Sequence, residues 1–151
     1  MKKTTVANLV LALCLAFPLA ARAEVKPQLD FYAGSHNAAT LRAGGALGVP
    51  IGNLAPLLSS PQIFPVYLRG SLSLEDTTSR FTLGPDFMSP WILFFRGQFG
   101  GGVEAVRKTS GVTTTTLQPY LRLGTQVWIC FTDVDLTREG TRYSGGFRFE
   151  F

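Results

Sequence analysis

Few residues in this chain have the type and spacing to do chemistry. His36 is the single histidine, set between Ser35 and Asn37 in a polar stretch that reads as a turn. Cys130 and Cys14 are the two cysteines, too few, with one histidine, for a dedicated metal site. Gly100-Gly101-Gly102, with Gly97 before it, has no helix pattern after it, so it is not a phosphate-cradling loop; glycines inside a strand pattern allow close packing or curvature. The regular feature is a set of arginines. Arg42, Arg69, Arg96, Arg122 and Arg148 are spaced by 27, 27, 26 and 26 residues, each flanked by apolar or small neighbours. Equivalent positions in successive β-hairpins would give this spacing, and so would chance placement among the basic residues. These patterns imply no catalytic residue, no cofactor and no metal.

The elements that carry the arginines alternate with a period of two, the signature of β-strands. Phe64, Val66, Leu68, Leu72 and Leu74 alternate with Pro65, Tyr67, Arg69, Ser71 and Ser73. Trp91, Leu93, Phe95, Phe99, Val103 and Ala105 oppose a face with Arg96, Gln98 and Glu104. Leu117, Leu121, Leu123, Val127, Ile129 and Phe131 oppose Gln118, Tyr120, Arg122 and Gln126. At the end of the chain Tyr143, Phe147, Phe149 and Phe151 share one face, and Arg142, Ser144, Arg148 and Glu150 the other. Polar stretches at 35–37, 75–78, 108–111 and 137–140 read as hairpin turns, 50–61 as a longer loop, and Gly84-Pro85-Asp86 and Ser89-Pro90 as breaks. The expected strands are 27–34, 40–49, 62–74, 78–84, 91–106, 112–124, 126–134 and 141–151. Eight is the expected number; two strands per arginine interval would give ten, and one long strand through 117–131 would give fewer, down to six.

The first 23 residues form a separate unit. Met1-Lys2-Lys3 is a basic start, Val6 to Ala20 an apolar run, and Ala21-Arg22-Ala23 a small-x-small cleavage site. That order is a secretory signal peptide, with a mature chain expected to begin at Glu24. A retained anchor is disfavoured because the apolar run is short for a bilayer span, and lipid attachment at Cys14 because Leu13 is bulky. Removing Lys2, Lys3 and Arg22 from the 14 basic residues leaves 11 against 10 acidic ones. The mature chain is then near neutral, and its charge offers nothing to nucleic acid. Residues 24–151 suffice for one domain, in which Cys130 has no disulfide partner.

An alternating apolar face can be buried by a protein core or by lipid, and alternation alone does not separate the two. Three features favour lipid. Aromatic residues gather near strand ends. The polar faces hold Gly, Ser, Thr, Gln and Arg, with Lys26 and Lys108 the only lysines after the leader, whereas soluble surfaces carry more Lys and Glu. A closed barrel also accounts for an aromatic at the last position, since its final strand pairs with its first. With the leader and the closing strand through Tyr143, Phe147, Phe149 and Phe151, the chain resembles the small Gram-negative outer-membrane β-barrels of the OmpA transmembrane-domain and OmpX type. The resemblance implies an all-β, antiparallel up-and-down transmembrane barrel in the outer membrane. It also implies lipid as a partner and recognition of the C-terminal strand by the barrel-assembly machinery. Outer-membrane lipid A deacylases carry a His-x-Ser pair; here the residue two after His36 is Ala38, and the match fails.

In such a barrel Arg42, Arg69, Arg96, Arg122 and Arg148 face the lumen with Asp30, Glu104 and Glu150. An eight-stranded lumen is just wide enough for side chains to fill, and buried charges need partners, so the expectation is a plugged, salt-bridged interior. A narrow anion-preferring path is the sharper alternative. The function expected is non-enzymatic: envelope structure or surface contact by an integral outer-membrane protein. The competing class is a secreted or periplasmic soluble barrel holding an apolar ligand. Oligomeric state is not encoded in any of these patterns.

Overall fold

A computed structural model of the chain describes residues 25–54, 57, 64–110 and 112–151. The leader, its expected cleavage site at Glu24 and much of the 50–61 loop lie outside the described residues. Eight strands follow one another: β1 (Gln28–His36), β2 (Thr40–Asn53), β3 (Pro65–Glu75), β4 (Thr78–Met88), β5 (Phe95–Ser110), β6 (Val112–Val127), β7 (Cys130–Thr137) and β8 (Gly140–Glu150). Each pairs antiparallel with its neighbours in sequence, and β8 pairs with β1 to close an up-and-down barrel. The closing seam matches Phe31 with Phe147 and Leu29 with Phe149, so the C-terminal stripe continues directly onto the outer face of β1.

The strands are steeply tilted. Successive partners lead from Asp86 to Gly100, Arg122, Asp135, Arg142, His36 and Thr40. Continued across β3, that path returns not to Asp86 but to the β3–β4 turn. This stagger is what closing a twisted eight-stranded sheet requires. It also lets side chains from distant strands meet at one depth inside.

Several expected boundaries move, each for a local reason. The break at Gly84-Pro85-Asp86 is absent: β4 runs through it, with Pro85 opposite Leu68. Pro85 has no N–H, and the β4–β5 ladder lapses between Leu83–Val103 and Asp86–Gly100. Glycines face each other across that lapse, with Gly84 against Gly101 and Gly102, so the backbones approach too closely for a Cβ. The strand expected at 91–106 starts later, at Phe95, because Trp91-Ile92-Leu93-Phe94 forms a tight turn. The strand expected at 126–134 is replaced by a β6 that extends to Val127 and a β7 that begins at Cys130. Trp128-Ile129 is the two-residue turn between them, with Trp128 in the left-handed region at φ 55°. That turn inverts the phase of the stripe. Phe131, expected on the outer face with Val127 and Ile129, is buried inside.

Candidate functional site

Alternation sorts the barrel into two surfaces of opposite chemistry. Phe31, Leu72, Phe99, Leu121 and Phe147 stand on the outside and are exposed, while Asp30, Arg69, Glu104, Arg122 and Arg148 are buried within. Among the described residues the buried apolar side chains are Tyr32, Ala46, Val66, Tyr67, Met88, Val106, Tyr120 and Phe131, fewer than the buried polar and charged ones. The interior is therefore an ionic core built from all eight strands, and it is the site the sequence singled out.

At its centre lies Asp30 of β1. Arg148 of β8 donates to it through Nε (2.9 Å to Oδ1) and Nη2 (3.0 Å to Oδ2), and Arg69 of β3, the strand beyond β2, donates to Oδ2. Arg148 Nη1 donates to Gln98 Oε1 at 2.7 Å and Gln126 Oε1 at 3.1 Å, so one guanidinium ties four strands. Phe131 lies against this triad, with the Arg148 guanidinium 4.8 Å and the Arg69 guanidinium 5.8 Å from its ring centre. Arg42 sits 5.3 Å from the Tyr32 ring, and Tyr32 meets Phe131 edge to face at 6.5 Å. Delocalised cations over aromatic faces keep part of their electrostatic stabilisation where water is excluded.

Toward the end away from the termini, Arg122 Nε donates to Asp135 Oδ1 at 2.7 Å, with Asp86 Oδ2 3.5 Å from Arg122 Nη1. Arg42 Nη2 donates to Ser144 Oγ at 3.1 Å and lies 3.4 Å from Asp135 Oδ2. Glu104, with no exposed surface, accepts from Arg142 and, at 2.7 Å, from Gln118 Nε2. Two inward glycines make room for acids: a Cβ at Gly100 would overlap the Asp86 carboxylate, and one at Gly124 the Asp133 carboxylate. At the mouth, Glu75 Oε2 accepts from Arg80 Nε at 3.0 Å and lies 3.3 Å from His36 Nδ1, beside a polar recess of about 490 Å³. At the termini end, Arg96 stacks 4.7 Å from the Trp91 ring, bonds Gln126 Oε1 and pairs with Glu150.

Arg42, Arg69, Arg96, Arg122, Arg148, Asp30 and Glu104 are thus all inside the barrel. Glu150 is at the rim, its side chain 32% exposed. His36 is not in the turn but ends β1, facing Glu75. The sequence reading missed Glu75, Arg80, Asp86, Asp133 and Asp135 as interior charges. Asp86 was hidden by the apparent break around Pro85. Asp133 and Asp135 were hidden by the apolar run through Trp128-Ile129; their alternation with Val134 and Leu136, out of phase with Val127 and Ile129, was the available signal. Tyr143, Phe147, Phe149 and Phe151 share the outer face of the last strand and its end, all exposed.

Outside the strands, in the β7–β8 turn, Glu139 accepts from Lys108 Nζ at 2.7 Å and pairs with Arg80 Nη1 at 2.8 Å. Partial burial pushes its carboxyl up, but the bonds from Lys108 and Arg80 outweigh it and hold the carboxyl below the usual glutamate range. Among the described residues no group of three or more His, Cys, Asp or Glu side chains is placed to hold a metal ion. What the arrangement does chemically is neutralise charge against charge.

No protein-family model matches the chain, and no curated protein sequence does. Among solved structures it is similar to the N-terminal β-barrel domain of Pseudomonas aeruginosa OprF, with a TM-score of 0.57 and 12% identity over 83% of this chain and 98% of that one. The fold is accordingly that of a small eight-stranded barrel of the OmpA type.

Proposed function

We propose that the chain is an integral outer-membrane β-barrel, non-enzymatic, with a structural or surface-contact role in the envelope and an interior closed by its own ion pairs. The observation that carries this reading is the inverted distribution of polarity: apolar side chains half exposed on the outside, charged ones buried inside. In water that arrangement would leave a continuous apolar belt unburied around the whole barrel. In a bilayer the belt meets hydrocarbon, and the closed ladder pairs the strand backbones with one another, the lapse at Pro85 apart. Crosswise ion pairs at several depths favour a plugged lumen over an anion path. In this reading the last strand, with Tyr143, Phe147, Phe149 and Phe151 outward, is what the assembly machinery recognises. The termini face the periplasm, and the short polar turns Asn37–Ala39, Asp76–Thr77 and Arg138–Glu139 face outward.

The test is fractionation followed by labelling. The protein is expected in outer membranes, extractable only with detergent. In a Cys130→Ser background, a lipid-confined photoprobe is expected to label a cysteine at position 121 and spare one at 122. Recovery in the periplasmic extract, with 121 shielded and 122 open to water, would establish a soluble barrel instead.

A further inference from the structure

At the termini end two short connections differ from the short turns at the opposite end. Ile92-Leu93-Phe94 and Trp128-Ile129 carry no charged side chain, and their side chains stand out, with Leu93 62% and Trp128 73% exposed. At the opposite end the short turns are Asn37–Ala39, Asp76–Thr77 and Arg138–Glu139, polar or charged at most positions. Leu93 and Trp128 are both held in the left-handed region, at φ 59° and 55°, which is unusual for side chains of that size. The fold therefore holds two bulky apolar residues in strained turns, side by side, at one end of the barrel.

Several of their backbone groups are paired within the protein. Ile92 and Phe95 exchange both hydrogen bonds, at 2.8 and 3.2 Å. Trp128 N–H donates to Phe94 O at 3.3 Å, locking one turn to the other. Trp128 O accepts from the inward side chain of Gln126 at 2.6 Å, and Ile129 O from Arg148 N–H at 2.7 Å. Such pairing is compatible with an apolar phase, where each unpaired group costs several kcal/mol.

Strand length points the same way. A transmembrane strand needs about 9–11 residues at its usual tilt. β7 has 8, and past its end comes Arg138. The apolar path along this side reaches full span only by including Trp128 and Ile129. No outward side chain from Leu117 to Leu136 is charged, so nothing along that path resists immersion.

Resting on the membrane-barrel reading above, we infer that the Leu93-Phe94 and Trp128-Ile129 turns are embedded in the lipid leaflet on the termini side. They form an apolar plate at the acyl–headgroup boundary that sets how deep the barrel sits. An indole at that level matches the interfacial preference of tryptophan.

The test uses the full mature chain refolded in phosphatidylcholine vesicles. With Trp91→Phe, which keeps a ring under Arg96, Trp128 becomes the only tryptophan. Its emission is expected to be blue-shifted, lost in vesicles of lipid brominated near the top of the acyl chain, and little affected by acrylamide. A belt reporter, Leu121→Trp in the Trp91→Phe, Trp128→Phe background, separates this inference from the reading it rests on. If that reporter is quenched by deeply brominated lipid while Trp128 emits red-shifted and yields to acrylamide, the barrel spans and the immersed plate is refuted. If neither is quenched by lipid, both readings fall. If Trp128 is shielded from both quenchers while the barrel runs as an oligomer, the plate is covered by a second copy and the lipid assignment is wrong. Should Trp128→Phe fold poorly, Trp128→Tyr serves for the reporter.

Discussion

Asp30→Asn is the sharpest perturbation of the ionic core, because it removes one charge and almost no volume. Asp30 is nearly fully buried and accepts three N–H bonds from two buried guanidiniums, two from Arg148 and one from Arg69. Asparagine offers one oxygen. Placed at the Oδ2 position it keeps the bonds from Arg148 Nη2 and Arg69 but loses the one from Arg148 Nε; flipped, it loses two. A lost charge-assisted bond costs about 1.5–3 kcal/mol. The remaining acids stand farther off: Asp86 Oδ2 is 3.6 Å from Arg69 Nε and Asp133 Oδ2 3.9 Å from Arg69 Nη2. Two buried cations then share less counter-charge, and breaking a buried pair by removing one partner costs about 3–5 kcal/mol. We expect a loss in that range.

The assay is urea unfolding of the refolded protein in phospholipid vesicles, read by tryptophan fluorescence, with the midpoint falling and the slope unchanged. A double-mutant cycle with Arg148→Gln isolates the pair, and the coupling is expected in the upper part of the about 0.5–3 kcal/mol seen for contacting residues. A loss below about 1 kcal/mol, with no coupling to Arg148, would refute the reasoning: the interior would then be hydrated well enough to screen its charges, and the plugged-lumen reading would go with it.

Leu121→Arg, on the outer face near the middle of β6, is expected to cost about 2–4 kcal/mol in bilayers, against a much smaller effect of arginine at the rim position Ile51; equal costs at both positions would contradict a hydrocarbon belt. Glu139 has a depressed folded-state pKa, so its contribution to stability is present above the unfolded value, about 4.3, and is lost as pH falls through the folded one. The difference in urea midpoint between the native chain and Glu139→Gln should therefore persist at pH 7 and pH 5 and close at lower pH; a gap independent of pH would exclude the Lys108–Glu139–Arg80 link as its source. Deleting Phe151 is expected to lower the amount of barrel inserted in cells while leaving the midpoint of refolded protein nearly unchanged, and unaltered insertion would remove the terminal aromatic as an assembly signal.

How far the sequence spoke for the fold depended on whether a strand's two faces stayed in phase. In β3 and β8 they did: Arg69 with Ser71, and Arg148 with Ser144, mark the inner face without interruption, and their interior placement follows from residue types alone. In β4 the reading stopped at Pro85, because proline is normally excluded from a paired strand; glycine on the facing strand is what admits it, a fact of pairing and not of local sequence. At Trp128-Ile129 the reading ran on too far, because no Gly, Asn, Asp or Pro marks the turn. Soluble hairpins use such residues for their left-handed φ. Here the same conformation is imposed on tryptophan, and the Phe94–Trp128 backbone bond and the Gln126 side chain that hold it come from elsewhere in the chain. The partners of each arginine were likewise unreadable, since the stagger of the strands decides which depths coincide.

The near-absence of lysine from residues 24–151 has its reason in this core. An ammonium is a compact, strongly hydrated charge that gives up much on burial, whereas a guanidinium is weakly hydrated, planar and able to serve several acceptors at once. Arg148 uses three nitrogens on Asp30, Gln98 and Gln126 while its face lies on Phe131. Arg96 uses two, on Gln126 and Glu150, while its face lies over Trp91. No lysine could reproduce either set, because three donors on one atom cannot reach acceptors on separate strands in one plane. The two lysines that remain are placed where hydration is kept: Lys26 ahead of β1, and Lys108 at the far mouth, paired with Glu139. Arginine inside and lysine only at the ends fits an interior with little bulk water. A water-filled path would have tolerated either residue, so the exclusion of lysine argues for a lumen closed along its length.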